Sequence, residues 1–171
     1  MSMENKAIQA FTESLIFRLD EKTEMIAKCL HQLSEEELWQ RPNQASNSVG
    51  NLLLHLCGNI RQYMISGLGK QDDIRERDLE FNISGGYTKA ALFEKLDGVL
   101  EETKAVVNAL DNEAWLSEYQ VQGFKLSGIG IALHVVEHYA YHTGQIAFWT
   151  KLLKAEDLGF YEGIDLNTKN D

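Results

Sequence analysis

The sequence predicts an all-α protein, a four-helix bundle with a long crossover between its second and third helices. Four long segments carry apolar residues three and four positions apart, which is the period of an α-helix. Pro42 is the only proline among the 171 residues, so little in the sequence interrupts helical backbone. Residues 67–86 are charged and show no clear period, which is typical of a connection that crosses a bundle.

The helices are predicted at residues 4–31, at 48–67, from residue 88 to about 110, and at 127–154. Ser34 and Glu37 have the spacing of a capping box, which predicts a short helical turn that ends at Pro42. Asn47 or Ser48 is expected to cap the second helix. Residues 119–126 alternate around Gln122 and Gly123, which predicts either a small hairpin or extended chain. We treat residues 1–171 as a single domain.

The composition makes several classes of partner unlikely choices for this chain. A formal net charge of −10 would repel a phosphate backbone or an anionic membrane surface, so neither nucleic acid nor a membrane is the expected partner. Residues 128–149 are apolar enough to suggest a membrane span, but three histidines and Glu137 interrupt them, which favours a buried helix. Cys29 and Cys57 lie in apolar helical stretches and are expected to be reduced thiols. With no apolar signal sequence visible, the predicted location is the cytoplasm.

The last predicted helix carries the most specific pattern in the chain. His134, His138 and His142 follow one another at four-residue spacing, and Tyr141 and Gln145 share their face of the helix. Residues four apart bring their side chains close together, so a His-x-x-x-His pair is able to grip one metal ion. The rest of the circumference is almost entirely apolar, which indicates that these histidines are buried and need polar partners.

The second predicted helix offers one more histidine on a polar stripe. Ser48, Asn51 and Asn59 cluster around His55, and Arg61 lies about 120° away on the presumed water-facing side. His55 is therefore a natural further ligand. Taken singly, each histidine is better explained as a hydrogen-bonded core residue; taken together, the four favour a metal site.

Two other metal motifs fit the sequence less well. The pair His138 and His142 lacks the glutamate that acts as general base in a zincin. The string from His134 to His138 does match an inverted zincin, but an all-helical domain provides no strand framework for a peptide substrate. No Glu-x-x-His occurs, which excludes the ferritin-like di-iron motif.

These motifs make the sequence similar to the DinB-like, or YfiT-like, superfamily of metal-dependent bundles. The resemblance covers most of the chain and rests on three features: residues 50–55 with their histidine, residues 138–146, and a long crossover. The crossover features are Arg75, Arg77, Asp78, Glu80 and Phe81. The resemblance implies a four-helix bundle, frequently dimeric, with His55, His138 and His142 as ligands and the open positions taken by water or substrate. His134 lies one turn outside the motif, so it either holds another group in place or replaces His142 as a ligand.

The resemblance also implies a reaction, because characterised members resemble thiol-dependent S-transferases and isomerases. We therefore expect a divalent ion, Zn²⁺ or Ni²⁺, with a low-molecular-weight thiol as co-substrate and a small molecule as acceptor. Tyr141 and Gln145 are expected to contact the electrophile or orient a ligand, and Glu137 to orient an imidazole. Two alternatives remain open: a metal-dependent hydrolase, and a stress-related bundle that binds a metal or ligand without catalysis.

Overall fold

A computed structural model describes residues 2–170, and it contains seven α-helices and one two-stranded hairpin within them. In chain order the elements are α1 (Met3–Gln32), α2 (Glu35–Trp39), α3 (Val49–Ile60), α4 (Arg77–Asn82), α5 (Lys89–Ala109), α6 (Asn112–Leu116), β1 (Glu118–Val121), β2 (Phe124–Ser127) and α7 (Gly128–Lys154). A π-helical segment, Arg61–Leu68, continues α3.

The long helices α1, α3, α5 and α7 form the predicted four-helix bundle. α1 packs along α7, while α3 packs against both α5 and α7. Leu19, Ile26, Leu53, Leu96 and Ile146 are completely buried between them, so every long helix contributes to one apolar core. Within the part of the chain that the structure describes, no helix has both the length and the apolar character of a membrane span.

Side-chain caps explain where the helices begin. Ser48 Oγ accepts a hydrogen bond from Asn51 N at 3.1 Å, and Asn51 Oδ1 accepts one from Ser48 N at 3.2 Å. Ser34 and Glu37 form the predicted capping box at α2. Ser127 caps α7 by accepting from Gly130 N at 3.0 Å. Each such cap satisfies backbone donors that have no partner within the helix and stabilises it by about 1 kcal/mol.

The strands β1 and β2 form a tight antiparallel hairpin, one of the two conformations that the sequence allows. Tyr119 pairs with Leu126, and Gln122 and Gly123 make the turn with φ angles of 51° and 82°. Two successive positive φ angles are the signature of a two-residue turn that matches the twist of the strands. The hairpin leads directly into α7.

The crossover, residues 69–88, is more ordered than its sequence suggests. It contains α4, a helix too short to show a hydrophobic period. Asn51 Nδ2 donates to the carbonyl oxygens of Glu80 at 3.0 Å and Ile83 at 2.7 Å, and Arg41 donates to the carbonyl of Phe81 at 2.7 Å. These bonds attach the crossover to α3 beside His55.

Candidate metal centre

Three histidines from two helices converge inside the bundle. His55 comes from α3, and His138 and His142 come from successive turns of α7. Each offers one ring nitrogen, and these nitrogens lie within 4.8 Å of one another. The Nε2 atoms of His55 and His138 are 2.9 Å apart. The structure thus brings together the three residues predicted as ligands, in a group that could hold one metal ion.

A buried carboxylate orients the ring of His55. Glu80 Oε2 lies 2.8 Å from His55 Nδ1, and both side chains are less than a tenth exposed. Arg75 Nη2 is also 3.2 Å from Nδ1, but a guanidinium has only donors, so the proton on Nδ1 is directed to the carboxylate. The lone pair of His55 is therefore on Nε2, which faces His138.

The ring of His142 is held in a similar way from within α7. Its Nδ1 lies 2.7 Å from Gln145 Oε1, an atom that can only accept, so Nδ1 carries the proton. His142 consequently presents Nε2 as a free acceptor. A hydrogen bond on one ring nitrogen that leaves the other free is the usual arrangement of a histidine ligand.

Burial keeps His138 and His142 uncharged. Desolvation is the largest cause that lowers the pKa of His138 to about 3, and the neighbouring His142 and His55 lower it further. Desolvation also lowers the pKa of His142, although the hydrogen bond to Gln145 acts in the opposite direction. Neutral imidazoles keep the lone pairs that a metal needs.

The donor set fits a divalent ion of intermediate softness. The Nε2 atoms of His55 and His138 are 2.9 Å apart, slightly less than the roughly 3.3 Å between ligand atoms around tetrahedral Zn²⁺. The rings would have to adjust to bring all three nitrogens, which lie within 4.8 Å of one another, to that spacing. The contact with Glu80 keeps the lone pair of His55 on its Nε2. Three imidazole ligands leave at least one coordination position for water or substrate.

Glu80 and Arg75 were not among the predicted site residues. Arg75 holds Glu80 with two hydrogen bonds, from Nε to Oε1 at 2.7 Å and from Nη2 to Oε2 at 2.8 Å. Burial acts to raise the pKa of Glu80, but the bonds from Arg75 and His55 outweigh it, and the net shift is downward. Both residues stand in the crossover segment that carries the family resemblance, yet no spacing in the sequence connects them to His55.

His134 lies one helical turn before His138 and is not part of the three-histidine group found among residues 2–170. Its ring stacks on Tyr63, with 4.2 Å between the centroids, and its Nε2 lies 3.4 Å from Asn59 Nδ2. Desolvation lowers its pKa, against a weaker opposite effect of Glu137. Of the two roles predicted for His134, this position suits a supporting residue better than a ligand.

The other three predicted residues have different surroundings. Gln145 orients His142, as described above, and the ring of Tyr141 packs beside His142 with 5.0 Å between centroids while remaining 63% exposed. Glu137 is exposed, and it accepts no hydrogen bond from a histidine within residues 2–170. The carboxylate that orients an imidazole in this structure is Glu80.

A cavity of about 520 Å³ reaches the cluster from outside the bundle; we call it the histidine cavity. Tyr141, His142 and Gln145 line one side of it, and the chain before α3 together with Leu52, Phe148 and Trp149 lines the rest. Its volume is within the usual range for small-molecule sites. The residues predicted to contact substrate therefore do lie on a cavity that leads to one of the histidines.

Comparisons with known proteins identify the family and the fold of this chain. A family model described as "Protein of unknown function (DUF1572)" matches residues 6–162. No curated protein matches the sequence. A conserved protein from Enterococcus faecalis has a similar structure, with a TM-score of 0.73 and 15% identity over 85% of this chain and 98% of the other.

Two solved structures of DinB-like proteins are also similar. The one from Bacillus cereus has a TM-score of 0.68 and 14% identity over 85% of this chain and 91% of that one. The one from Bacillus subtilis, YjoA, has a TM-score of 0.63 and 15% identity over 82% and 91% of the two chains. At these identities the structures establish the fold, while the family match extends over most of the sequence. The chain belongs to the DUF1572 family and has the DinB-like fold that the sequence resemblance implies.

Proposed function

We propose that this protein is a metal-dependent enzyme that transfers a low-molecular-weight thiol to a small electrophilic molecule. One observation carries the proposal: His55, His138 and His142 bring ring nitrogens within 4.8 Å of one another, and Glu80 and Gln145 each engage the other ring nitrogen of His55 and His142. Rings that are oriented so that their free nitrogens point to one another are expected of histidines that bind a cation, and core packing does not require this orientation.

The charge of the ligand set favours an anionic co-substrate. Three neutral imidazoles leave the double charge of a divalent ion uncompensated. A Zn²⁺ or Ni²⁺ ion bound there would lower the pKa of a thiol coordinated in its open position and so supply a nucleophile near neutral pH. The resemblance to the DinB-like superfamily supports the same choice, because characterised members of that superfamily resemble thiol S-transferases.

The histidine cavity provides room for the acceptor. Leu52, Phe148 and Trp149 offer apolar contact, and the Tyr141 hydroxyl is a hydrogen-bond donor on the same wall. We assign Tyr141 to contact the electrophile and Gln145 to hold His142 in its ligand orientation. Glu137, which is exposed, has no assigned role in this reaction.

Two further properties belong to the proposal. The free and buried thiols of Cys29 and Cys57 support a reducing location such as the cytoplasm. An apolar stripe along α7, formed by Leu133, Tyr141, Phe148 and Leu152, is 52–70% exposed and supports a homodimer.

The test is a turnover assay with purified, metal-loaded protein. Glutathione, bacillithiol and mycothiol would each be supplied with the electrophile 1-chloro-2,4-dinitrobenzene, and thioether formation would be followed by absorbance. His138→Ala is the inactive control, and His31→Ala, which changes an exposed histidine outside the cluster, should retain wild-type activity. We expect turnover with at least one thiol in the wild type and in His31→Ala only.

The same preparation distinguishes the other functions. Metal-dependent cleavage of an activated ester without any thiol, and no thioether with any thiol, would replace the transferase by a hydrolase. Metal binding with neither reaction would indicate a binding protein.

A further inference from the structure

A second cavity, of about 620 Å³, lies between α3, the crossover and α5; we call it the crossover cavity. It is separate from the histidine cavity, and none of the three clustered histidines lines it. Arg75 and Glu80, whose ion pair contacts His55, form part of its wall. The proposed thiol transfer does not use this space.

The lining of the crossover cavity is mainly apolar. Leu54 and Val99 form its floor from the bundle, and the crossover adds Ile74, Leu79 and Tyr87. These last three side chains are 75%, 59% and 40% exposed. They border the cavity, so a ligand bound in it would cover them. Exposed apolar side chains gathered around a concave site are characteristic of a ligand site.

The charges of the lining are distributed unevenly. Three cations and two carboxylates border the cavity, and the full list is Arg61, Arg75, Lys95, Glu76 and Glu80. Glu80 is already neutralised by Arg75 and His55, and Arg61 pairs with Glu102 at 2.6 Å. Lys95 forms no ion pair with any residue from 2 to 170. Glu76 also forms no ion pair within this part of the chain, so Lys95, which is exposed, and Glu76 are the two lining charges that a ligand would meet without a partner.

We propose that the crossover cavity binds a small molecule with an apolar body and one acidic group, such as a medium-chain or aromatic carboxylic acid. The apolar body would cover Ile74, Leu79 and Val99, and the acid would pair with Lys95. The cavity volume is in the range of about 300–1,000 Å³ that is usual for such ligands.

The experiment uses full-length protein freed of metal by a chelator, so that its outcome does not depend on the proposed metal chemistry. The fluorescent probe 8-anilinonaphthalene-1-sulfonate would be titrated first, and decanoate and the uncharged analogue decanol would then compete for it. We expect one saturable site from which decanoate displaces the probe at lower concentration than decanol does.

Matched variants locate the site. Lys95→Gln should weaken decanoate about fivefold and leave decanol unchanged, because it removes one charge contact worth roughly 1 kcal/mol. Leu79→Ser should weaken both competitors. Lys6→Gln and Phe148→Ser are the controls: Lys6 is exposed on α1, and Phe148 is an exposed apolar residue of the histidine cavity. Both should bind as the wild type does.

Three results would overturn the proposal. The first is no saturable binding of the probe or of decanoate. The second is loss of binding in Phe148→Ser and not in Leu79→Ser, which would place the ligand in the histidine cavity. The third is equal binding of decanoate and decanol with no effect of Lys95→Gln, which would remove the requirement for an acid. Circular dichroism of each variant distinguishes a lost site from a lost fold.

Discussion

His55 and His142 each have one ring nitrogen engaged by a neighbouring side chain, and this leaves the other nitrogen directed into the cluster. Glu80 engages His55 from a separate element, whereas Gln145 engages His142 from three residues along the same helix. A histidine whose tautomer and ring orientation are already fixed loses less conformational freedom when it binds a metal, so binding costs less free energy.

Metal content should depend on the clustered histidines and not on the others. We expect about one equivalent of Zn²⁺ or Ni²⁺ per chain in the wild type, and none in His55→Ala or His138→Ala, as measured by elemental analysis after dialysis. His142→Ala should lose more metal than His134→Ala, because His134 lies outside the ligand group. Equal metal content in wild type, His55→Ala and His138→Ala would refute the site, and the reverse order for the last pair would make His134 the third ligand.

Glu80 should tune the affinity of the site without binding the metal itself. Replacing Glu80 by Gln removes the charge that attracts the Nδ1 proton of His55, and loss of such a partner typically lowers metal affinity about 10- to 100-fold. Competition with a chromophoric chelator measures the change. Glu137→Gln is the matched control, since this exposed carboxylate does not contact the cluster, and its affinity should equal that of the wild type. Equal losses in both variants would contradict the role of Glu80.

Stability of the metal-free protein should decrease as the pH is lowered from 7 to 5. The pKa of His138 falls from 6.5 to about 3 on folding, mainly through desolvation, so the unfolded chain takes up a proton in this range and the folded chain does not. The stabilisation is complete above the unfolded pKa of 6.5 and is lost as the pH falls towards the folded pKa. Each such histidine contributes at most about 1.4 kcal/mol per pH unit, because the unfolded state binds at most one more proton on that ring than the folded state does.

Urea unfolding at pH 7, 6 and 5 tests this dependence. The His138→Gln variant should show a shallower decrease in the free energy of unfolding than the wild type, while His31→Gln should follow the wild type. Identical slopes for His138→Gln and the wild type would show that desolvation of this ring does not govern the acid sensitivity.

At the scale of elements, the site depends on how closely α4 approaches α3. Gly58 is the residue of α3 against which the Glu80 side chain packs, and a Cβ added there would lie 1.9 Å from Glu80 Oε1 and 2.9 Å from Arg75 Nε. No side chain other than hydrogen leaves room for this carboxylate. A glycine in the middle of a helix costs about 1 kcal/mol relative to alanine, and here that cost allows the ion pair to reach His55.

Gly58→Ala should therefore lower metal affinity about as much as loss of the Glu80 charge does, roughly 10- to 100-fold. The matched control is Gly98→Ala in α5, where an added Cβ meets nothing within 4 Å; it should leave metal affinity unchanged. In a Glu80→Ala background, Gly58→Ala should have little further effect, because no carboxylate remains to be displaced. Additive losses in this double-mutant cycle would show that Gly58 acts on the fold and not through Glu80.

At the scale of the whole molecule, α7 serves two surfaces at once. Its inner face contributes His138 and His142 and packs on α1 and α3, while its outer face presents the exposed apolar stripe of Leu133, Tyr141, Phe148 and Leu152. Gly144 of the same helix has no neighbour within 4 Å of an added Cβ, so space beside it is open. A second copy packed on this stripe would bury it beside the histidine cavity.

We expect a homodimer, so light scattering at micromolar concentration should give twice the chain mass of 19.4 kDa. Phe148→Glu should convert it to monomer, because burying an unpaired carboxylate in an apolar interface is strongly unfavourable. Leu116→Glu is a control at an exposed apolar residue of α6, outside the α7 stripe, and should leave the mass unchanged. A wild-type mass equal to that of one chain would exclude the dimer.

Local patterns along the chain were sufficient for the helices and for part of the site. The period of the apolar residues predicted the four long helices. Ser34 was predicted to cap α2, and Asn47 or Ser48 to cap α3; the structure has Ser34 and Ser48 as the caps. These starts can be predicted because a cap bonds to a residue only three positions away. The face shared by His138 and His142 follows from the helix period alone. A spacing of four residues is a geometric statement about one element, so it needs no knowledge of the rest of the fold.

Only the tertiary structure decided which groups meet across elements. Glu80 is 25 residues from His55 in the chain, and its contact depends on α4 docking onto a glycine, which no local pattern encodes. The same holds for the stacking of His134 on Tyr63, and for the place of Arg75 and Glu80 in the wall of the crossover cavity. Helical periodicity specifies directions around one axis, whereas the distances between axes are set by the packing of the whole core.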